Sequence, residues 1–181
     1  MTQAHTPREL EALLKANIRD VPDFPETGIM FRDITTLRAN AELFRMTIEE
    51  MARPFRDERI DKVIVIESRG FIFGTPIAYL LGAGVVPVRK PGKLPSATYA
   101  EEYALEYGTD SLEIHQDAIH DHERVLIVDD LLATGGTVEA TIRLAKRFGG
   151  EIAGVSVLAE LVALNGRALI SDQNVHSLVR Y

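Results

Sequence analysis

The stretch Arg124 to Thr137, R-V-L-I-V-D-D-L-L-A-T-G-G-T, restricts the fold of this chain more than any other. Val125 to Val128 are all apolar and mostly β-branched, and the run is too short for a helix. Such a run reads as a buried strand, central in a parallel sheet. The acids Asp129 and Asp130 stand where that strand is expected to end, followed by a loop from Leu131 to Gly136. From Thr137 to Phe148 the pattern turns helical, with Val138, Ile142 and Ala145 on one face and Thr137 as the expected N-cap. Strand, acids, small-residue loop and helix in that order make an anion cradle. Loop N–H groups and the positive helix end converge on a phosphate, and Gly135 and Gly136 let it come close. The two carboxylates suit a polar, uncharged neighbour such as a ribose diol, or a divalent cation. A bare D-D…G-G pattern is also an ordinary connection in α/β folds; the fixed order of the parts makes it more specific. The commoner phosphate motifs are absent: no G-x-x-x-x-G-K-[ST] occurs, and Gly82-Ala83-Gly84 is followed by Pro87 where a dinucleotide loop needs glycine.

The rest of the chain supports one domain over residues 1–181. Its length can bury a substantial core, with 46% hydrophobic and 26% charged residues. A net charge of −7 argues against a nucleic-acid partner, which calls for a basic face. The chain contains no cysteine, so disulfides and thiolate metal sites are excluded, and a reducing, cytoplasmic location is expected. No apolar run approaches the roughly 20 residues of a membrane span, and no signal-peptide core precedes the domain.

Thr6, Pro7 and Glu9 form a capping box with a first-turn proline, opening a helix with Leu10, Leu13, Leu14 and Ile18 on its buried stripe, expected to end near Asp20. Two prolines and a glycine between Val21 and Gly28 argue for an irregular loop. Carrying Phe24, Met30 and Phe31, it could cover a flat apolar ligand, although such side chains also fasten loops to cores. A second amphipathic helix is expected from Asn40 to about Phe55, with Phe44, Ile48, Met51, Ala52 and Phe55 on one face. Lys62 to Ile66 reads as another buried strand, with Thr75 and Pro76 opening the next helix. Arg69 then lies at the carboxyl end of a parallel strand, the edge where open α/β sheets bind ligands. Val85 to Val88 leads into Arg89, Lys90 and Lys93, a bent basic loop. In an acidic chain that cluster can clamp a polyanion. Ser96 to Gly108 is polar and without clear periodicity, as lids often are, and a short strand is expected to resume around Leu112 and Ile114, continuing the excursion as a β-ribbon. His115, His120 and His122 lack the spacing of a helical metal pair and read as a solvated turn. Ile152 to Leu158 and Val175 to Val179 are the remaining strands, the last at an edge.

Several of these words resemble the type I phosphoribosyltransferases. Val125 to Thr137 matches their signature for phosphoribosyl pyrophosphate (PRPP) residue for residue. The words F-P…G-I-x-F-R-D-I-T from Phe24, E-S-R-G-F from Glu67, R-K-P-G-K-L-P from Arg89 and L-E-Y-G from Leu105 are similar to those of the adenine phosphoribosyltransferases. The resemblance implies an α/β fold with a mostly parallel central sheet flanked by helices. To this it adds a small N-terminal hood over about 20–36 and a flexible lid over about 94–110. It implies transfer of phosphoribose from PRPP to adenine, giving AMP and pyrophosphate in purine salvage. Ala133, Thr134, Gly135, Gly136 and Thr137 would hold the 5′-phosphate, and Asp129 and Asp130 the ribose hydroxyls. Arg69, Arg89, Lys90 and Lys93 would face the pyrophosphate. Met30, Arg32 and Leu161 would border the base, Tyr107 would belong to the lid, and Glu106 would move a proton to or from the purine. Mg²⁺ would be held mainly by PRPP and water rather than by the protein. A homodimer is implied, with some cations crossing into the neighbour's site. Another phosphoribosyltransferase, or a PRPP-binding regulator that keeps the fold, remains the alternative.

Overall fold

A computed structural model describes residues 5–104 and 109–181. Helix α1 (Pro7–Ala16) opens with the expected reciprocal cap between Thr6 and Glu9. It stops at Ala16 rather than near Asp20, because Arg19–Pro22 (β1) leaves to pair with Met30–Asp33 (β2). The irregular stretch expected over Val21–Gly28 is, over residues 23–29, the turn of a two-stranded antiparallel ribbon. Its prolines sit at the end of β1 and in the turn, where no ladder N–H is needed. Short helix α2 (Thr35–Ala39) precedes α3 (Ala41–Ala52), which Asn40 caps by accepting from the Glu42 and Leu43 N–H groups. A single 3₁₀ turn, Arg53–Phe55, follows it.

The main sheet then begins with β3 (Lys62–Ile66), α4 (Gly70–Leu81) and β4 (Gly84–Val88). Helix α4 starts at Gly70, so Thr75 and Pro76 lie inside it and do not open it. Close packing sets that start. A Cβ at Gly74 would meet Val65 Cγ1 at 2.2 Å, and one at Gly70 would meet the Val128 carbonyl at 2.9 Å. Strands β5 (Thr98–Ala104) and β6 (Thr109–His115) form a second antiparallel ribbon. The polar stretch expected to be irregular is therefore largely a strand, its extended form supplied by the partner. Strand β7 (Arg124–Leu132), α5 (Gly136–Lys146), β8 (Glu151–Glu160), α6 (Gly166–Leu169) and β9 (Val175–Arg180) complete the chain.

The five main strands are all parallel, in the order β4-β3-β7-β8-β9. Alternation along each strand sorts the core into two layers. Val63, Val65, Leu126, Val128 and Leu158 pack with the buried faces of α1 to α4. Ile64, Ile66, Val125, Ile127, Val155 and Val157 pack on the other face with α5 and the β5–β6 ribbon. Helices on both faces bury the sheet completely, which is why its strands read as unbroken apolar runs. The chain winds from β3 outward to β4, then returns to β7 on the opposite side. The carboxyl ends of β3 and β7 therefore part at the point where open α/β sheets form a ligand crevice. Among the described residues, no helix is long and apolar enough to cross a membrane.

Candidate active site

At that point lies a cleft of about 350 Å³, lined by Glu67, Ser68, Arg69, Lys90, Tyr103, Leu112, Asp129, Asp130, Leu131, Ala133 and Thr137. Its floor is the end of β7. Pairing with β3 stops at Val65↔Val128, whereas pairing with β8 continues to Leu132↔Glu160. Asp129 and Asp130 thus lie inside the strand rather than beyond its end. They are extended and held on one side, and free of a strand neighbour on the other.

The two acids differ. Asp130 accepts from Arg69 Nε at 2.5 Å, while its own N–H donates to Asp129 Oδ1 at 2.8 Å. Burial pushes the Asp129 carboxyl well above its ordinary range, and the adjacent Asp130 charge adds to the rise. A carboxyl in that condition gains from a hydroxyl donor or a cation entering the cleft.

Beyond Leu132 the chain makes a tight turn. Gly135, not Thr137, is the N-cap of α5, and its φ of 90° is left-handed. A Cβ there would lie 2.6 Å from the Gly166 carbonyl oxygen. Thr137 falls in the first turn, and its carbonyl accepts from Thr141 Oγ1. The first backbone bond of the helix is Glu139 N–H to Gly135 O at 2.9 Å. The N–H groups of Gly136, Thr137 and Val138 precede it and have no partner within the helix. Among the described residues, none accepts from the Thr134 or Gly135 N–H. Unsatisfied amides and the positive end of an eleven-residue helix therefore face one small space, a ready anion site.

On the opposite wall Lys90 stands with Glu67, which draws two further cations beside it. Glu67 gathers Arg89 Nε at 3.2 Å, the Lys90 N–H at 3.0 Å and the Lys93 ammonium. Burial opposes ionisation of Glu67, but Lys93, the Lys90 amide and Arg89 outweigh it and hold the carboxyl below its ordinary range. Lys90 enters the cleft between Asp110 and the Tyr103 hydroxyl, which it meets at 2.7 Å. Desolvation weakens its charge, yet Asp110 and Tyr103 more than restore it, so Lys90 stays protonated above the usual lysine range. The Arg69 guanidinium also stacks over Phe31 at 5.6 Å, joining the β1–β2 ribbon to the cleft.

A family model for the phosphoribosyl transferase domain matches residues 34–175. The adenine phosphoribosyltransferase of Rhodopirellula baltica is 56% identical over 168 residues, covering 93% of this chain and 82% of that protein. The chain belongs to the adenine phosphoribosyltransferase family. Among solved structures, the Rhodothermus marinus adenine phosphoribosyltransferase superposes with a TM-score of 0.90 at 54% identity, over 95% of this chain and 98% of that one. The Saccharomyces cerevisiae enzyme, at 36% identity and a TM-score of 0.89, covers 94% of this chain and 99% of its own. It was solved with adenine and D-2,5-dideoxy-2,5-imino-altritol 1,6-bisphosphate. The parallel sheet flanked by helices is thus the fold expected of a type I phosphoribosyltransferase.

Of the residues singled out in this family member, Arg69, Lys90, Asp129, Asp130, Ala133 and Thr137 meet around the cleft. Thr134 and Gly135 line the small recess beside it with Ala133 and Thr137, and Gly136 starts the helix between them. Arg89 and Lys93 stand behind Glu67 rather than on the cleft wall, with Arg89 Nη1 donating to the Lys93 carbonyl at 3.1 Å. Met30, Arg32 and Leu161 lie outside the cleft. Arg32 pairs with Asp20 and stacks over Tyr181 at 4.0 Å, so its side chain is committed away from the cleft. The Leu161 N–H is taken by the Leu132 carbonyl at 2.9 Å. Glu106 and Tyr107 fall outside the described residues.

Glu67, Ser68, Tyr103, Leu112 and Leu131 complete the walls although none was singled out as a site residue. Glu67 and Phe31 stood inside recognisable words, but nothing local told their contacts. For Mg²⁺, no three His, Asp or Glu side chains gather as ligands among the described residues. Glu67 is committed to three cationic or N–H donors and Asp130 to Arg69, leaving Asp129 as the acid without a cationic partner. That donor set suits an ion carried in on a phosphorylated substrate with much of its water.

Proposed function

We propose that this chain transfers the phosphoribosyl group of PRPP to N9 of adenine, giving AMP and pyrophosphate. One observation carries the reading: the Asp129–Asp130 pair, Ala133 and Thr137 share one cleft with Arg69 and Lys90, and the free amides at the start of α5 border the small recess beside it. A 5′-phosphate on the amides places the ribose diol over the acids and the anomeric pyrophosphate toward the cations. As the bond from C1′ to pyrophosphate oxygen breaks and the bond to N9 forms, positive charge builds on the sugar and negative charge on the leaving group. Asp129 and Asp130 stabilise the first, and Arg69 and Lys90 the second. Arg89 and Lys93 join them when pyrophosphate competes for the cations now held by Glu67. When bound, Mg²⁺ would supply further neutralisation of the leaving pyrophosphate, and Asp129 and Asp130 are the residues that would hold it through water. Glu106 serves as the group that exchanges the N9 proton. The hood ribbon covers the base, and its backbone distinguishes the 6-amino donor and N1 acceptor of adenine from the reversed pattern of 6-oxopurines. The enzyme acts as a cytoplasmic homodimer whose basic loops approach across the interface.

Incubation of the protein with PRPP, Mg²⁺ and adenine, hypoxanthine, guanine or orotate in turn tests this directly. AMP should form in the adenine sample far faster than any other nucleotide in its own. Faster product from an oxopurine, or none from any base, overturns the assignment.

A further inference from the structure

Behind the phosphate loop, and outside the cleft, lies a charge network around one buried acid that the chemistry above does not use. Glu160 ends β8 and is 4% exposed. Arg167 grips it with both arms of its fork, Nε to Oε1 at 2.7 Å and Nη2 to Oε2 at 2.8 Å. Ser177 Oγ donates to Oε2 at 2.8 Å, and Arg180 stands 3.5 Å away. The remaining Arg167 arm donates to the Val175 carbonyl at 2.9 Å. A two-armed pair of this kind fixes position as well as charge. Here it fixes the start of α6, because Arg167 directly follows Gly166.

Gly166 is the backstop of the phosphate loop. Its carbonyl oxygen sits 2.6 Å from where a Gly135 Cβ would be, and a Cβ on Gly166 itself would meet the Ala133 carbonyl at 2.3 Å and the Gly135 nitrogen at 3.0 Å. The two glycine backbones are therefore in direct contact, and neither can shift inward without displacing the other. Asn165, with a left-handed φ of 53°, turns the chain so that this contact forms.

We propose that Arg167 and Glu160 are positioning residues for substrate phosphate: through Gly166 they hold the Ala133–Gly135 turn at the spacing its N–H groups need. This rests on reading that turn as the 5′-phosphate cradle. Neither residue lines the cleft, so their loss should weaken grip on the phosphate first.

The test compares wild type with Arg167→Met, with Glu160→Gln/Arg167→Met, which leaves no unpaired buried charge, and with Gly166→Ala, which presses on the loop directly. Each is assayed for KM of PRPP, KM of adenine, inhibition by ribose 5-phosphate, and thermal unfolding. The expected result is a rise of about ten- to a hundredfold in KM for PRPP and in the inhibition constant of ribose 5-phosphate, a displacement-sized effect. The KM for adenine should stay within about twofold. Arg167→Lys, which keeps the charge and loses the fork, should fall between. Unchanged PRPP affinity in folded variants overturns the proposal, as does a parallel loss for both substrates that follows the unfolding temperature. If Arg167→Met does not fold, the double variant and Gly166→Ala decide between these outcomes. Wild type without PRPP turnover would instead refute the proposed function.

Discussion

Replacing Asp130 with asparagine separates the roles of the paired acids. The shape is kept and the charge is lost, with three consequences. First, the ribose diol loses a charged acceptor, worth about 1.5–3 kcal/mol, or roughly ten- to over a hundredfold in kcat/KM for PRPP. Second, Arg69 loses its partner at 2.5 Å. Its side chain is 41% exposed, so water and salt screen that pair to about 1 kcal/mol or less. The first effect wins, and a freed Arg69 does not compensate. Third, Asp129 changes. Burial raises its pKa most and the Asp130 charge comes next; removing the second cause lets Asp129 ionise more easily. The acid limb of the pH profile of kcat/KM for PRPP should move to lower pH in Asp130→Asn. Stability follows the same group. With its folded pKa raised, the contribution of Asp129 is fully present below the ordinary carboxylate range and lost as pH rises through the raised value. That loss should be smaller in the variant, as thermal unfolding across the acid range would show. An acid limb that stays in place or moves upward, or a kcat/KM within twofold of wild type, would refute the reasoning.

Glu106→Gln should lower kcat by about 10²–10⁴ with PRPP binding nearly intact, read by single-turnover kinetics and PRPP titration. An unchanged kcat removes Glu106 from the chemistry. Gly135→Ala forces a side chain onto a φ of 90° and must open its contact with Gly166 from 2.6 Å to the 3.4 Å of ordinary packing, about 0.8 Å. KM for PRPP should rise roughly ten- to a hundredfold while KM for adenine holds, and strain should cost about 1–3 kcal/mol in unfolding experiments. Glu67 contributes stability above the ordinary carboxylate range and loses it as pH falls through its depressed value. Glu67→Gln should therefore flatten the acid side of the stability curve, and an unchanged acid slope would show that Lys93 and Arg89 do not depend on it.

Much of this molecule could be read residue by residue, because the signals concerned are local. The Thr6–Glu9 cap, the Asn40 cap and the buried apolar runs of β3, β7 and β8 depend on neighbours within a few positions. The same holds for the acids, glycines and basic word that mark the ligand edge. Other features depend on residues distant in the chain. Helix α4 opens at Gly70 because its glycines press on Val65 and Val128, which no local pattern at Thr75 and Pro76 reveals. Strand β7 reaches Leu132 because β8 continues beside it after β3 has stopped.

What the amino-acid order alone determined was the chemistry on offer: amides freed by small residues, a pair of acids, and clustered cations on strand ends. Tertiary structure decided who meets whom. It placed Glu67 among the cations, Phe31 over Arg69, and the Gly166 backbone under Gly135, with Gly135 rather than Thr137 as the cap. The physical reason is one of range. Backbone propensity and capping act over one or two turns, whereas close packing and ion pairing join residues that only the folded sheet brings within contact.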